Sequence, residues 1–255
     1  MLKKILILGG TTEARQLAGK LGHRSDAEVT LSLAGRTENP VEQPVPTRSG
    51  GFGGPEGLAA YLLEQKIDLL IDATHPYAAN ISRNAAQATK RADVPVFALR
   101  RPAWEPVEGD RWTPVTDAAE AVQALGAAPR KIFLALGRQE IAKFATAPQH
   151  AYVIRSVDPV EPPLDVPNAI YILARGPFAE ADELELLTTH RIDAIVAKNS
   201  GGSATYGKIA AARKLGIDVI LFRRPNLPDV PSATSVTELL GKIDHWLKPA
   251  EKRGV

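Results

Sequence analysis

The 255-residue chain contains no cysteine, which excludes disulfides, thiolate catalysis and cysteine-ligated metal centres. Its five histidines are scattered without ligand spacing, so no metal site is expected. No apolar run approaches the ~20 residues that cross a bilayer. The first residues lead straight into a strand pattern instead of a signal peptide, and a cytoplasmic location without a membrane partner is the expectation. Dense basic runs and basic residues interleaved with aromatics are also missing, and the formal net charge is only +2. That balance argues against nucleic acid and favours a small polyanion gripped by a few clustered cations.

What is present begins at Lys4-Ile5-Leu6-Ile7-Leu8, a short apolar run that reads as a buried parallel strand. It runs into Gly9-Gly10-Thr11-Thr12-Glu13-Ala14-Arg15, and Ala14, Leu17, Ala18 and Leu21 then fall on one helical face. A helix start of this kind offers unpaired N–H groups and the positive end of its dipole to an anion. Counted from Gly9, the second glycine of the dinucleotide fingerprint is replaced by Thr11, while Ala14 fills a position where alanine is permitted. Hydroxyls of Thr11 and Thr12, with Arg15, can stand in for the lost backbone approach. A plain capped helix start is the competing reading.

Further strands are expected at 29–33, 69–72, 94–99, 132–136, 152–155, 170–173, 194–197 and 219–222, with helical patterns between most of them. The two halves share a grammar. Ile67-Asp68 and Ile192-Asp193 each introduce a strand, Arg100-Arg101-Pro102 recurs as Arg223-Arg224-Pro225, and Lys4-Ile5 with Gly10 and Glu13 finds Lys131-Ile132 with Gly137 and Glu140. The fold class expected is α/β: two Rossmann-like parallel-sheet lobes related by an internal duplication, with the ligand cleft between them. The boundaries expected are 1–100 for the first lobe, 101–114 for a proline- and tryptophan-rich crossover, 115–247 for the second lobe and 248–255 for a frayed tail.

In open α/β sheets ligands bind beyond the carboxyl ends of strands, so candidate residues are sought there. Ala34-Gly35-Arg36 places an arginine where NAD-specific sites carry an acid, which suits the ribose phosphate of NADP; an ordinary solvated loop arginine is the alternative. Ser49-Gly50-Gly51-Phe52-Gly53-Gly54 is dense in glycine, as a backbone lying close to a ligand would be, or as a flexible surface loop would be. Asp72-Ala73-Thr74-His75-Pro76-Tyr77 offers Thr74 as a helix cap, with Pro76 in the first helical turn and His75 and Tyr77 beside a ligand. Its counterpart, Lys198-Asn199-Ser200-Gly201-Gly202, is expected at a helix N-terminus as a polar recognition turn. Arg138 and Arg175 add cations suited to carboxylates.

Taken together, the Gly9–Arg15 turn, the Gly50–Gly54 loop, the segment Asp72–Ala78, Arg175-Gly176-Pro177-Phe178 and the turn Lys198–Gly202 resemble the precorrin-6A reductases of cobalamin biosynthesis, over residues 3 to about 226. The resemblance implies an enzyme of two Rossmann-like lobes that uses NADPH to reduce one double bond of the precorrin-6A, or cobalt-precorrin-6A, macrocycle to the 6B product. On that basis Gly9, Gly10, Thr11, Thr12, Arg15, Arg36, Thr74 and His75 are expected to bind the cofactor. The polycarboxylate substrate is expected at Gly53, Arg138, Arg175, Lys198, Asn199, Ser200, Gly201 and Gly202. Catalytic groups are sought among His75, Tyr77 and Lys198, with water also eligible as proton donor. A monomer or weak homo-oligomer is expected. The other readings are a two-lobed nucleotide-sugar or phosphoribosyl transferase, which should bring paired acids, and a non-catalytic small-ligand binding protein, which needs no dinucleotide turn.

Overall fold

The computed structural model describes residues 2–35 and 41–248. Arg36 lies outside the described residues, as does the expected tail from residue 249 onward.

The first half runs β1 (Lys3–Leu8), α1 (Thr12–Gly22), β2 (Ala27–Leu33), β3 (Thr47–Ser49), α2 (Gly54–Glu64), β4 (Leu69–Asp72), α3 (Ala79–Ala92) and β5 (Val96–Leu99). It continues into β6 (Trp112–Val115) and α4 (Ala118–Leu125); the second half runs β7 (Lys131–Ala135), α5 (Arg138–Ile141) with a following 3-10 turn, β8 (Ala151–Ser156), β9 (Ala169–Leu173), α6 (Glu180–Thr189), β10 (Ala194–Lys198), α7 (Gly207–Leu215) and β11 (Asp218–Phe222). The short β12 (Ser232–Ala233) and α8 (Val236–Leu247) follow.

These strands form two six-stranded sheets, ordered β3-β2-β1-β4-β5-β12 and β9-β8-β7-β10-β11-β6. All pairings within them are parallel. Both orders reproduce the doubly wound Rossmann arrangement, so the α/β class and the two parallel-sheet lobes are as expected. In each lobe the sixth strand comes from the other half of the chain. Residues from Ala103 to Arg224 make one compact unit, and the described residues up to Pro102 join those from Pro225 to Lys248 in the other.

This exchange corrects the expected boundaries. Residues 101–114 are not simply a crossover, because Trp112–Val115 pairs with β11. Residues 225–247 belong with the first lobe: β12 pairs with β5, and Leu239 and Ile243 of α8 are buried against Leu17, Leu21, Ile5 and Ile7. An amphipathic stripe announces that α8 needs an apolar surface, but cannot say which sheet provides it. The two exchanged helices start alike. Asp117 accepts from Glu120 N–H while Glu120 accepts from Thr116 N–H, and Ser235, Glu238 and Thr234 repeat the pattern.

The core follows from strand alternation. In β1, Ile5 and Ile7 face α1 and α8, while Leu6 and Leu8 face the other layer with Leu58 and Leu62 of α2 and Ala85 and Ala88 of α3. Phe133, Ile195, Leu221 and Ile209 fill the corresponding core of the second lobe. Because both faces are covered, the central strands are apolar throughout, and function is confined to their ends.

Candidate active site

In the first lobe the strand order reverses between β1 and β4, and the turns that leave these strands are bonded together. Thr11 caps α1 by accepting from Ala14 N–H at 3.1 Å, and its hydroxyl donates to Ala73 O at 3.0 Å. Thr11 is thus a bridge between the two turns. Gly9 makes a close approach: a Cβ there would lie 2.6 Å from Leu31 Cδ1, so a side chain would push into the core. Gly10 has φ +108° and no atom within 4 Å of where a Cβ would stand, leaving open space above the helix start. Thr12 and Arg15 lie exposed in the first turn of α1, and Glu13 pairs with Arg101, which follows β5.

Asp72 ends β4 and fixes the second turn. Its carboxylate accepts from Thr74 N–H at 3.2 Å, Thr74 Oγ1 at 2.7 Å and Arg100 Nη2 at 2.6 Å. Burial alone would raise its pKa, but the Arg100 guanidinium with the hydroxyls of Ser82 and Thr74 outweighs that effect and holds it below the usual carboxylate range. The expected helix cap at Thr74 is therefore corrected. Its hydroxyl serves Asp72, and α3 starts only at Ala79, with no side-chain cap. His75 and Tyr77 stand on this turn with ring centroids 5.7 Å apart, and Tyr77 N–H donates to His75 Nδ1 at 3.3 Å.

Gly53 is the N-cap of α2, at φ +79°. The loop before it is organised by Arg48, which the sequence reading passed over. Arg48 donates to Ser32 Oγ at 2.7 Å and to the carbonyls of Gly50 and Gly51 at 3.1 Å, with its guanidinium 3.9 Å from the Phe52 ring centroid. The available signal was an arginine immediately before a glycine-rich loop.

In the second lobe the equivalent switch point lies between β7 and β10. Lys198, the last residue of β10, donates to Glu140 Oε1 at 2.5 Å, and Glu140 belongs to the short α5 that also carries Arg138. Glu13 and Glu140 occupy matching places in the two halves and pair with different cations. Lys198-Asn199-Ser200-Gly201-Gly202 is not at a helix N-terminus as expected, since α7 begins at Gly207 after a run of turns. Asn199 engages the main chain of Trp104 in both directions, accepting from Trp104 N–H and donating to Trp104 O, each at 2.8 Å. Arg175 is exposed after β9.

Beneath this turn Arg155 and Glu183 form a buried bidentate ion pair, with Arg155 stacked 3.6 Å from the Phe178 centroid. Lys208 is buried nearby and donates to Thr205 O at 2.6 Å. Burial, reinforced by the Arg155 charge, pulls its amine down to about 7 against an opposing pull from Glu183.

The first lobe therefore gathers Gly9, Gly10, Thr11, Thr12, Thr74, His75 and Tyr77 at one pair of adjacent turns. The second gathers Lys198–Gly202 with Arg138. No helix among the described residues is long and apolar enough to cross a membrane.

Comparison with known proteins agrees with this architecture. A family model described as precorrin-6x reductase CbiJ/CobK matches residues 4–244. A precorrin-6A reductase from Sinorhizobium is 60% identical over 247 residues, covering 97% of this chain and 95% of the relative. A second from Rhodobacter capsulatus is 46% identical over 100% of both. The solved structure of CobK precorrin-6A reductase matches 100% of both chains with a TM-score of 0.92 and 45% identity.

Proposed function

The chain belongs to the precorrin-6x reductase CbiJ/CobK family, and from that premise we propose that it uses NADPH to reduce one double bond of precorrin-6A, giving precorrin-6B. Its place among the oxidoreductases of cobalamin biosynthesis follows from the family. The relatives at 60% and 46% identity are named precorrin-6A reductases, which favours the metal-free macrocycle over its cobalt-containing counterpart.

The observation that carries the cofactor reading is the bond from Thr11 to Ala73, which joins the open Gly10 turn to the His75–Tyr77 turn where the strand order reverses. These residues fit a nicotinamide dinucleotide. Amide groups of the first turn of α1, with Gly10, Thr12 and Arg15, would hold the pyrophosphate, while Thr11 keeps that turn in register with Thr74. His75 and Tyr77 would line the nicotinamide region, and Arg36 would read the ribose phosphate. When bound, NADPH supplies the hydride.

The substrate carries many acetate and propionate groups. Gly53, Arg138, Arg175, Lys198, Ser200, Gly201 and Gly202 supply cations and amides suited to them, with Asn199 holding the turn in place. A proton must reach the second carbon of the reduced bond from His75, Tyr77, Lys198 or water. On an electron-poor conjugated ring, positioning and preorganised charge outweigh a dedicated acid. Neutralising His75 should then cost less than about tenfold in turnover, roughly 1.4 kcal/mol of barrier. The transferase reading is disfavoured because Asp72 is buried and bound to Arg100, which leaves it unsuited to serve as a base or metal ligand.

Titration with NADPH and NADH, followed by nicotinamide fluorescence, tests the cofactor assignment. NADPH should bind far more tightly, and Arg36→Ala should erase most of the difference. Equal binding by the unaltered protein would overturn the assignment.

A further inference from the structure

The turn Lys198–Gly202 is tied to the chain around it by both main-chain and side-chain hydrogen bonds. Asn199 N–H donates to Phe222 O at 3.4 Å, Ser200 N–H folds back on Lys198 O at 2.8 Å, and Gly201 and Gly202 both have positive φ. Trp104, on the segment that follows β5, bonds to this turn at two places. Its main chain is clasped on both sides by the Asn199 amide, and its indole N–H donates to Gly202 O at 2.9 Å. A nearly buried indole needs such an acceptor, since it has a donor and no lone pair to offer. Tyr206 packs against the ring with centroids 5.6 Å apart, and Lys208 Nζ lies 5.1 Å from its centre. From the segment after β11, Arg224 Nε donates to Asn199 O at 2.8 Å. The two segments on which the halves exchange strands therefore meet at Asn199.

We infer that Trp104 is a positioning residue for the reductase, a clamp that fixes the Lys198–Gly202 turn through Asn199 at one end and Gly202 at the other. Its effect on catalysis rests on the reading above that this turn receives the substrate; its effect on the turn's mobility does not. Trp104 touches no reacting atom in this account. It sets where Lys198, Ser200 and the Gly201–Gly202 amides stand before the substrate arrives, so that ordering them is not charged against binding.

The test is Trp104→Phe, which keeps an aromatic ring beneath Lys208 and beside Tyr206 but removes the donor to Gly202 O. Amide hydrogen exchange of the ligand-free protein should quicken by roughly tenfold over residues 199–206, as expected for losing one buried bond and leaving its acceptor unpaired. Exchange in β7, β10 and β11 should stay within about twofold, the scatter allowed for an unaltered core. With precorrin-6A, KM should rise by about tenfold while kcat changes by less than about threefold, the signature of lost preorganised binding. Asn199→Ala, read by exchange in the same residues, covers the case in which Trp104→Phe does not fold. Unchanged exchange at 199–206 overturns the clamp, as does acceleration spread evenly over the whole second lobe. Local acceleration with an unchanged KM upholds the clamp and removes the substrate from this turn.

Discussion

Replacing Asp72 with asparagine isolates the charge that holds the His75–Tyr77 turn. The amide keeps the shape of the carboxylate and can retain an oxygen for Thr74, but its NH2 group then faces Arg100 Nη2, a donor against a donor. Arg100 Nη1 is already buried with no hydrogen-bond partner among the described residues, so the guanidinium would be left a poorly compensated cation. Removing one partner of a buried pair costs about 3–5 kcal/mol, and at an effective dielectric constant near 20 the direct attraction at this range is itself about 4 kcal/mol. The loss should fall on the first lobe. Trp246 lies there, whereas Trp104 and Trp112 lie in the other unit, so urea unfolding followed by fluorine NMR of fluorotryptophan-labelled protein separates the two.

The pair also fixes a pH dependence. Asp72 has a lower pKa folded than unfolded, so its stabilisation is present above the unfolded value near ~3.9 and is lost as pH falls through the folded value. Asp72→Asn should abolish that share of the acid dependence. Arg100→Met added to Asp72→Asn should recover more than half of the lost stability, because no buried charge then stands alone. A first-lobe loss below about 1 kcal/mol, the range of an exposed pair, would show that the Asp72–Arg100 charges do not hold this turn, and so would a double variant no more stable than the single one.

Three further outcomes are expected. Thr11→Val removes both the cap and the bond to Ala73 O; it should cost about 1–2 kcal/mol in urea unfolding and weaken NADPH binding, with Thr11→Ser restoring both. Lys208 has a lower pKa folded than unfolded, so the unfolded chain binds more protons between pH 7 and about 10.4 and stability rises across that window by up to ~1.4 kcal/mol per pH unit. Lys208→Met should flatten that rise and stabilise the second lobe at neutral pH, as read from thermal unfolding against pH. Glu140→Gln removes a partly exposed ion pair, worth up to ~1 kcal/mol, that competes with a carboxylate for Lys198, and KM for the polycarboxylate substrate should fall by about threefold to fivefold.

Local pattern carried much of this molecule. Apolar runs such as Ile5–Leu8 and Ile195–Ala197 are buried on both faces, and such strands announce themselves without tertiary information. The threonine after Gly10 was legible as a helix start because a hydroxyl at that place caps whatever else it does. Of the four edge strands, β9 was expected at 170–173 and the other three were not legible. β3 is the polar triplet Thr47-Arg48-Ser49, β6 contains Pro114, and β12 is two residues long, so none carries a burial pattern. Nor was the exchange between halves legible, for the stripe of α8 would fit the outer face of either sheet. At the site, Thr74 offers a hydroxyl that suits a cap or a neighbouring carboxylate equally well. The choice fell to Asp72 because that acid is buried and must gather donors. Asn199 was read as a ligand group for the same reason: an amide's partner cannot be seen from its own segment when that partner is the main chain of Trp104.

We propose that a reduced nicotinamide dinucleotide held at the Gly10–Thr11 turn reduces precorrin-6A. The decisive measurement mixes the purified protein anaerobically with precorrin-6A and NADPH and follows nicotinamide absorbance alongside the mass of the macrocycle. The expected result is NADPH oxidation that depends on the macrocycle, equimolar with a product heavier by two hydrogens, and strongly slowed by Thr11→Val. NADPH that remains unoxidised in the presence of precorrin-6A, or a macrocycle reduced equally fast by the Thr11 variant, would contradict it.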